Sequence, residues 1–245
     1  MAPMDITSLQ HPLVKHLVKL RTHRKYRYEK KTVFLEGKKL LSELQLPIKT
    51  LIVRQDETTS LQAETTCHVP SNVFEKISGV QAPEGIAAEV DMPPFADLSQ
   101  KQRILALDRI SDPGNLGTLI RTALAFGIDG IFLTENSVDP YNEKALRAAK
   151  GATFKIPLQI GPLEPFAASF HLYIADLEGT PLPSVTFKTP AILLLGNEAQ
   201  GVSNEMQKNG TSVTIPIKNQ MESLNVAVAG SILMHTMICQ NSTTS

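Results

Sequence analysis

The sequence predicts an α/β protein whose larger part is a mostly parallel sheet, and three observations predict it. From residue 104 onward, short apolar runs alternate with helical stretches. The runs are near-continuous, as in strands covered on both faces. Polar clusters, two of them containing glycine, follow three of the runs at the carboxyl end, where such sheets hold their ligands. Ahead of this part lies a smaller α/β unit over residues 1–92. Met92-Pro93-Pro94-Phe95 then breaks the pattern, because consecutive prolines cannot sit inside a helix or a central strand. Residues 93–100 therefore read as a linker and 101–245 as the second domain.

In the front unit, residues 9–20 place Leu9, Leu13, Leu17 and Leu20 on one helical stripe. Val33-Phe34-Leu35 reads as a strand and Lys38 to Leu44 as a helix. Leu51-Ile52-Val53 and Cys67-His68-Val69 read as strands, Ser71 to Ile77 as a short helix, and Gly85 to Val90 as the last strand. In the second domain the strands are Ile104 to Leu107, Gly130 to Leu133, Leu172 to Ala175, Ala191 to Leu195 and Val213 to Ile215. Helices fall at 116–126, 142–149, 164–170, 202–208 and, as a buried one, 224–239.

Composition narrows the class. With 42% hydrophobic and 20% charged residues, the chain is globular and large enough to need no staples. Cys67 and Cys239 make no disulfide framework, and no Cys/His cluster has zinc-ligand spacing, so no metal is expected. Both thiols read as small buried apolar groups in a reducing compartment. Met1 to Gln10 lacks the basic start and apolar block of a secretory signal. The apolar segment Val226 to Cys239 is interrupted by Gly230, Ser231, His235 and Thr236 and is shorter than the roughly 20 residues that a bilayer span requires. The expectation is a cytoplasmic protein with no membrane partner, and His235 is expected in the core or at its boundary.

A net charge of zero hides an asymmetry. Lys15, Lys19, Arg21, Arg24, Lys25, Arg27, Lys30, Lys31, Lys38 and Lys39 are ten of the 24 basic residues, opposed within 15–39 by only Glu29 and Glu36. That segment carries +8. The remainder, with 14 basic and 22 acidic residues, carries −8. A basic face on an otherwise acidic chain points to a polyanion such as RNA, with Lys15, Lys19, Arg21, Arg24, Lys25 and Arg27 as candidate contacts. Tyr26 and Tyr28 lie among these charges, placed to stack on unpaired bases. The alternative is a solvated helix face with the tyrosines partly in the core.

Three clusters carry the chemistry. The first is Asp112-Pro113-Gly114-Asn115-Leu116-Gly117-Thr118-Leu119-Ile120-Arg121. Pro113-Gly114 is a turn signal, Asn115 is a residue type that caps helices, and Gly117 clears a floor one turn below Arg121. Taken alone, this could be tight packing with a solvated arginine. The second cluster, Leu195-Gly196-Asn197-Glu198-Ala199-Gln200-Gly201, ends a buried strand at a glycine that lets a ligand approach the backbone. Glu198 is placed to orient Arg121 or Asn115, or to anchor the following helix by its charge. The third runs from Ile215-Pro216 to Ser223-Leu224-Asn225, where Ser223 is either a helix cap or a member of the site.

In this order the clusters resemble motifs 1, 2 and 3 of the SpoU (TrmH-like) RNA ribose 2′-O-methyltransferases of the SPOUT class. The matching stretches are Leu107-Asp108-Arg109 through Gly127, Leu194 through Gly201, and Ile215 through Ala229, with Val138 to Asn142 and Lys150-Gly151-Ala152 between them. Ile6 to Leu20, Val33 to Gly37 and Gly85-Ile86-Ala87 are similar to the ribosomal-protein-L30-like substrate-binding domain often joined to such enzymes.

The resemblance implies a C-terminal trefoil knot and a homodimer. It also implies S-adenosylmethionine held by Leu195, Gly196, Ile215 and Leu224. Asn115, Arg121, Glu198, Ser223 and Asn225 fall at the family's catalytic positions. The family's usual proposal makes the arginine a general base. A guanidinium stays protonated, so binding phosphate and stabilising oxyanion charge is the physically easier role for Arg121.

The sulfonium already activates the methyl group, so no metal is needed. Asn219 stands where the family usually has glycine, and asparagine tolerates the left-handed conformation best among the other residues. Ala227 replaces a common serine. Large-subunit ribosomal RNA is the expected substrate and transfer RNA the second. The rivals are a non-catalytic RNA-binding member of the fold and a dinucleotide-binding corner. The latter lacks G-x-G-x-x-G spacing, since Ile120 or Arg121 holds the third glycine's place.

Overall fold

The structure is a computed structural model and describes residues 4–218 and 222–242. Asn219, the departure from the family pattern, lies outside them. The chain divides into two compact units: Met1–Pro94 with Tyr141–Leu146, and Phe95–Pro140 with Arg147–Ser245.

The first unit runs β1 (Met4–Asp5), α1 (Pro12–Thr22), α2 (Arg24–Lys30), β2 (Thr32–Glu36), α3 (Lys38–Ser42), β3 (Ile48–Arg54), β4 (Thr65–Val69), α4 (Ser71–Ser78) and β5 (Ile86–Asp91). Its sheet has the order β1-β4-β3-β5-β2, with β5 antiparallel to both neighbours and the other pairs parallel. Val14, Leu17 and Leu20 of α1 and Val73, Phe74 and Ile77 of α4 join Ile52, Cys67 and Ala87 of the sheet in one core.

The first helix starts three residues later than its apolar stripe suggests. Pro12 can open a helix but not continue one, and His11 Nδ1 accepts from Leu13 N as the cap. Leu9 is left outside, 41% exposed. The short strand β1 and the separate helix α2 carry no clear pattern in the sequence. His23, in an extended conformation, divides α2 from α1.

The second unit runs β6 (Arg103–Leu107), α5 (Pro113–Phe126), β7 (Gly130–Leu133), α6 (Glu143–Ala149, whose first residues belong to the other unit), β8 (Leu158–Ile160), α7 (Leu163–Ala167), β9 (His171–Pro181), β10 (Ala191–Leu195), α8 (Asn204–Lys208), β11 (Thr211–Thr214) and α9 (Val226–Ser242). All pairs in its sheet are parallel, in the order β11-β9-β10-β6-β7-β8. From β6 the chain builds outward through β7 to β8, then crosses back and builds the other side. The strand order therefore reverses between β6 and β10. Beyond the carboxyl ends of these two strands lies the crevice where such sheets bind ligands.

Three features of this unit differ from the sequence expectation. A three-residue strand, β8, pairs with β7 at the sheet edge and is too short to stand out as an apolar run. Strand β9 is longer than expected because β11 pairs first with Tyr173 and Ile174, then with Thr180 and Pro181, so residues 175–179 bulge out of the ladder. The last helix is only half-buried: Leu233, Met234 and Met237 face inward, while Val228 and Ile232 are exposed. Where α9 meets α5, a Cβ on Gly230 would lie 2.6 Å from Leu119 Cδ2, which explains the glycine. Cys67 is buried as expected, but Cys239 is exposed beside His235, with Sγ 3.5 Å from Nε2. His235 is exposed too and sits edge-on to Phe126.

Candidate functional site

Beyond β6 the chain turns into α5 at Asp112, whose Oδ1 accepts from Asn115 N at 2.7 Å. Asp112 is thus the helix cap, with Pro113 at the first helical position, and Asn115 is not. This frees the Asn115 carboxamide to reach across the strand ends. Its Nδ2 donates to Glu198 Oε1 at 3.1 Å, and its Oδ1 accepts from Asn225 Nδ2 at 3.0 Å. One member of each cluster is therefore joined in a single chain of bonds.

Beyond β10 the backbone folds into a tight hairpin. Asn197 and Gly201 exchange both backbone hydrogen bonds, and Asn197 Oδ1 accepts from Ala199 N and Gln200 N. A Cβ on Gly196 would lie 2.4 Å from the Gly201 carbonyl carbon. The neighbouring backbone of the hairpin itself thus requires glycine here, independently of any ligand. Glu198, on the hairpin, also accepts from Ser111 Oγ at 2.9 Å, Ser111 N at 3.3 Å and Asp112 N at 3.4 Å. Burial alone would push its carboxyl up. The bonds from Asn115 and Ser111 outweigh that and hold it below the usual carboxylate range.

Before α9, Asn225 caps the helix: its Oδ1 accepts from Ala227 N at 2.9 Å and Val228 N at 3.3 Å. The cap is therefore Asn225 and not Ser223, the cap candidate two residues earlier. Ser223 is exposed and has no hydrogen-bond partner among the described residues.

The hairpin after β10, the end of β11 with the segment after it, the start of α9 and the β9 bulge line a cavity of about 670 Å³, and no residue of the β6–α5 loop is among the described lining. All four residues expected to hold the cofactor (Leu195, Gly196, Ile215 and Leu224) line it, together with Glu198, Ser223 and Asn225. Its walls include Leu177, Val213, Val226 and Leu233, and its carboxylates are Asp176, Glu198 and Glu222. No lysine or arginine is among the described lining residues. A wall of mixed apolar and polar character, with carboxylates and no cation among the described lining residues, favours a ligand that combines an apolar part with polar groups and positive charge. S-adenosylmethionine fits that description, with an adenine ring and a sulfonium. Asp176 and Leu177 escaped the sequence reading because they belong to the β9 bulge, which a periodic pattern does not reveal. Ser111, a partner of Glu198, was also passed over, although it directly precedes the capping Asp112.

Arg121 stands apart. It is exposed, four residues beyond the buried Gly117 on α5, and has no hydrogen-bond or ion-pair partner among the described residues. Of the two partners expected for Glu198, Asn115 is the one it meets, and Arg121 is not oriented by it.

The basic candidates of the first unit divide. Lys15, Lys19, Arg24 and Lys25 are exposed. Arg27 is 2% exposed and donates from Nη1 to Leu20 O at 2.6 Å and Arg21 O at 2.8 Å, so it secures the end of α1 and is closed to a partner. Arg21 is half-buried and pairs with Glu143 at 3.2 Å. Tyr26 packs partly against the core, with its hydroxyl 2.9 Å from His16 Nδ1 and the ammonium groups of Lys19 and Lys30 near its ring. Arg24 lies over Tyr28 at 5.5 Å.

The reversed strand order, the converging loops and the cavity define an α/β enzyme with a ligand site at the strand ends. Residues 102–235 match the SpoU rRNA Methylase family, and residues 11–88 match the MRM3-like substrate binding domain. The chain belongs to the SpoU rRNA methylase family. It is 34% identical to the 23S rRNA (guanosine(2553)-2'-O)-methyltransferase RlmP of Bacillus subtilis, over 94% of this chain and 98% of that protein. The AdoMet-bound rRNA methyltransferase of Sinorhizobium meliloti has a similar structure: TM-score 0.83 and 31% identity, over 95% of this chain and 96% of that one. A TrmH-family RNA methyltransferase structure from Porphyromonas gingivalis gives a TM-score of 0.80 at 30% identity, covering 94% and 98% of the two chains.

Proposed function

We propose that this chain transfers the methyl group of S-adenosylmethionine to a ribose 2′-hydroxyl of large-subunit ribosomal RNA. The observation that carries this is a carboxylate-edged cavity lined by the second and third strand-end loops, to both of which Asn115 of the first loop is hydrogen-bonded. The named target of the Bacillus subtilis relative supports 23S RNA, and the bound AdoMet of the Sinorhizobium meliloti structure supports the cofactor.

Leu195, Gly196, Ile215 and Leu224 would hold the cofactor, with Glu198 and Asp176 as the nearby negative charge. Bound there, S-adenosylmethionine supplies a methyl carbon already activated by its sulfonium. The oxygen–carbon bond would form as the carbon–sulfur bond breaks, with its electron pair left on sulfur and the hydroxyl proton passing to solvent water. Arg121, exposed and unpaired among the described residues, binds RNA phosphate and stabilises the negative charge that grows on the ribose oxygen. Asn115, Glu198 and Asn225 keep the loops in register so that oxygen, carbon and sulfur can line up. Ser223 borders the cavity and contacts RNA or cofactor.

In the front unit, Lys15, Lys19, Arg24 and Lys25 bind the RNA backbone. A homodimer acting in the cytoplasm and a knotted path through the last loops belong to the same proposal; the exposed Val228 and Ile232 of α9 offer an apolar face for a second subunit. The test is to map 2′-O-methyl groups in total RNA with and without the gene. Loss of one position in large-subunit RNA is expected, whereas loss in a transfer RNA would redirect the substrate. Calorimetry with S-adenosylmethionine separates the enzyme from a non-catalytic RNA-binding member of the fold, which would give no heat.

A further inference from the structure

Arg109 occupies a conformation that arginine adopts at a cost. Its φ is +55°, the left-handed region where a side chain crowds the backbone and glycine does not. What arginine adds there is a grip on the Asn197–Gly201 hairpin. Nη1 donates to Gln200 Oε1 at 3.2 Å and Nη2 to Gly201 O at 3.1 Å. The buried Asp108 steadies the same guanidinium, accepting from Nε at 3.1 Å. The backbone is held as well: Arg109 N donates to Thr134 Oγ1 at 2.9 Å, and Arg109 O accepts from Asn197 Nδ2 at 2.8 Å. Gln200 and Gly201 line the cavity, Arg109 is not among the lining residues, and Glu198 sits on the same hairpin.

We propose that Arg109 is a positioning residue for the cofactor: its guanidinium holds the hairpin wall of the cavity in its binding shape before S-adenosylmethionine arrives. The assignment rests on the methyltransferase reading. A wall that is already ordered loses little conformational entropy when the ligand binds, so removing the grip weakens binding while every group that touches the ligand stays in place.

Arg109→Gly keeps the backbone conformation and deletes all three donors; Arg109→Lys keeps the charge but loses the fork. Hydrogen exchange in the ligand-free protein reads the Ala199, Gln200 and Gly201 amides, all bonded within the hairpin. Faster exchange is expected in Arg109→Gly. By calorimetry, its Kd for S-adenosylmethionine should rise about tenfold, the scale of removing one charge-assisted hydrogen bond. KM for the cofactor should rise with KM for RNA unchanged, and Arg109→Lys should recover part of the affinity. Unchanged exchange in Arg109→Gly overturns the proposal. So does faster exchange with unchanged cofactor affinity, which would confine Arg109 to a structural role. Wild-type protein that takes up no S-adenosylmethionine defeats the methyltransferase reading itself, and the wild-type titration tells that failure apart from the other two.

Discussion

Asn225 Nδ2 donates to Asn115 Oδ1 across 3.0 Å of space and 110 residues of sequence. The first residues of α9 are thereby fastened to the first turn of α5, and through Asn115 to the hairpin that carries Glu198. Both asparagines have a second role: Asn225 caps its own helix, and Asn115 donates its backbone N–H to the cap of the other.

Asn225→Ala should therefore cost both a helix cap and a cross-link. The expected loss is about 0.5–2 kcal/mol, the usual range for removing such a cap. Thermal unfolding should show a melting point lower by about 2–4 °C for each kcal/mol in a chain of this size. A melting curve that overlays the wild type would refute the role.

Arg121→Ala should fold normally and bind S-adenosylmethionine normally, because Arg121 bonds to none of the described residues and lines no part of the cavity. Methyl transfer in a single-turnover assay should fall about 100-fold or more, as when one oxyanion-stabilising donor is removed. An undiminished rate would remove Arg121 from the chemistry.

Glu89 gives the first unit an acid-sensitive element. It is 7% exposed and lies 3.0 Å from His16 Nε2, and it accepts from Thr50 Oγ1. Burial pushes its carboxyl up, but the hydrogen bond and charge of His16 and the Thr50 hydroxyl outweigh it and hold it below its ordinary value. A carboxyl lowered by folding stabilises the fold above its unfolded pKa, near about 4.3, and that contribution fades as pH falls through the folded value. Glu89→Gln should flatten the acid side of the stability-versus-pH curve measured by urea unfolding. An acid limb identical to that of the wild type would show that Glu89 contributes nothing there.

Alanine at Lys15, Lys19, Arg24 and Lys25 should weaken RNA binding at low salt. The slope of log affinity against log salt should shrink by about 0.7–0.9 for each phosphate that the protein no longer neutralises. Arg27→Ala should act differently. It leaves the Leu20 and Arg21 carbonyls without their buried donor and should destabilise the protein by about 1–3 kcal/mol. Filter binding across a salt series, set beside thermal unfolding, distinguishes the two behaviours. Equal salt slopes for the quadruple variant and the wild type would place RNA on another face.

Much of this site was legible in the chain. Apolar runs located the strands whose carboxyl ends open on the crevice, and the family resemblance supplied Leu195, Gly196, Ile215 and Leu224, all of which line the cavity. The β9 bulge was not legible, since its residues 175–179 follow from how β11 pairs with β9 and not from any local periodicity. Charge was the least informative signal. Lys25 and Arg27 are two residues apart in one basic segment, yet one is exposed and the other closed inside the fold.

The sequence by itself determined most of the strands and helices, the order of the three loops and the family they resemble, because these depend on short-range pattern and residue type; β1, α2 and β8 were not among them. Only the tertiary structure decided which side chains meet. Asn115 is freed from capping by Asp112, Glu198 is drawn to Ser111 and away from Arg121, and Arg109 is turned onto the hairpin. Each outcome depends on distances between strands that lie far apart in the chain, and local propensity carries no information about those distances.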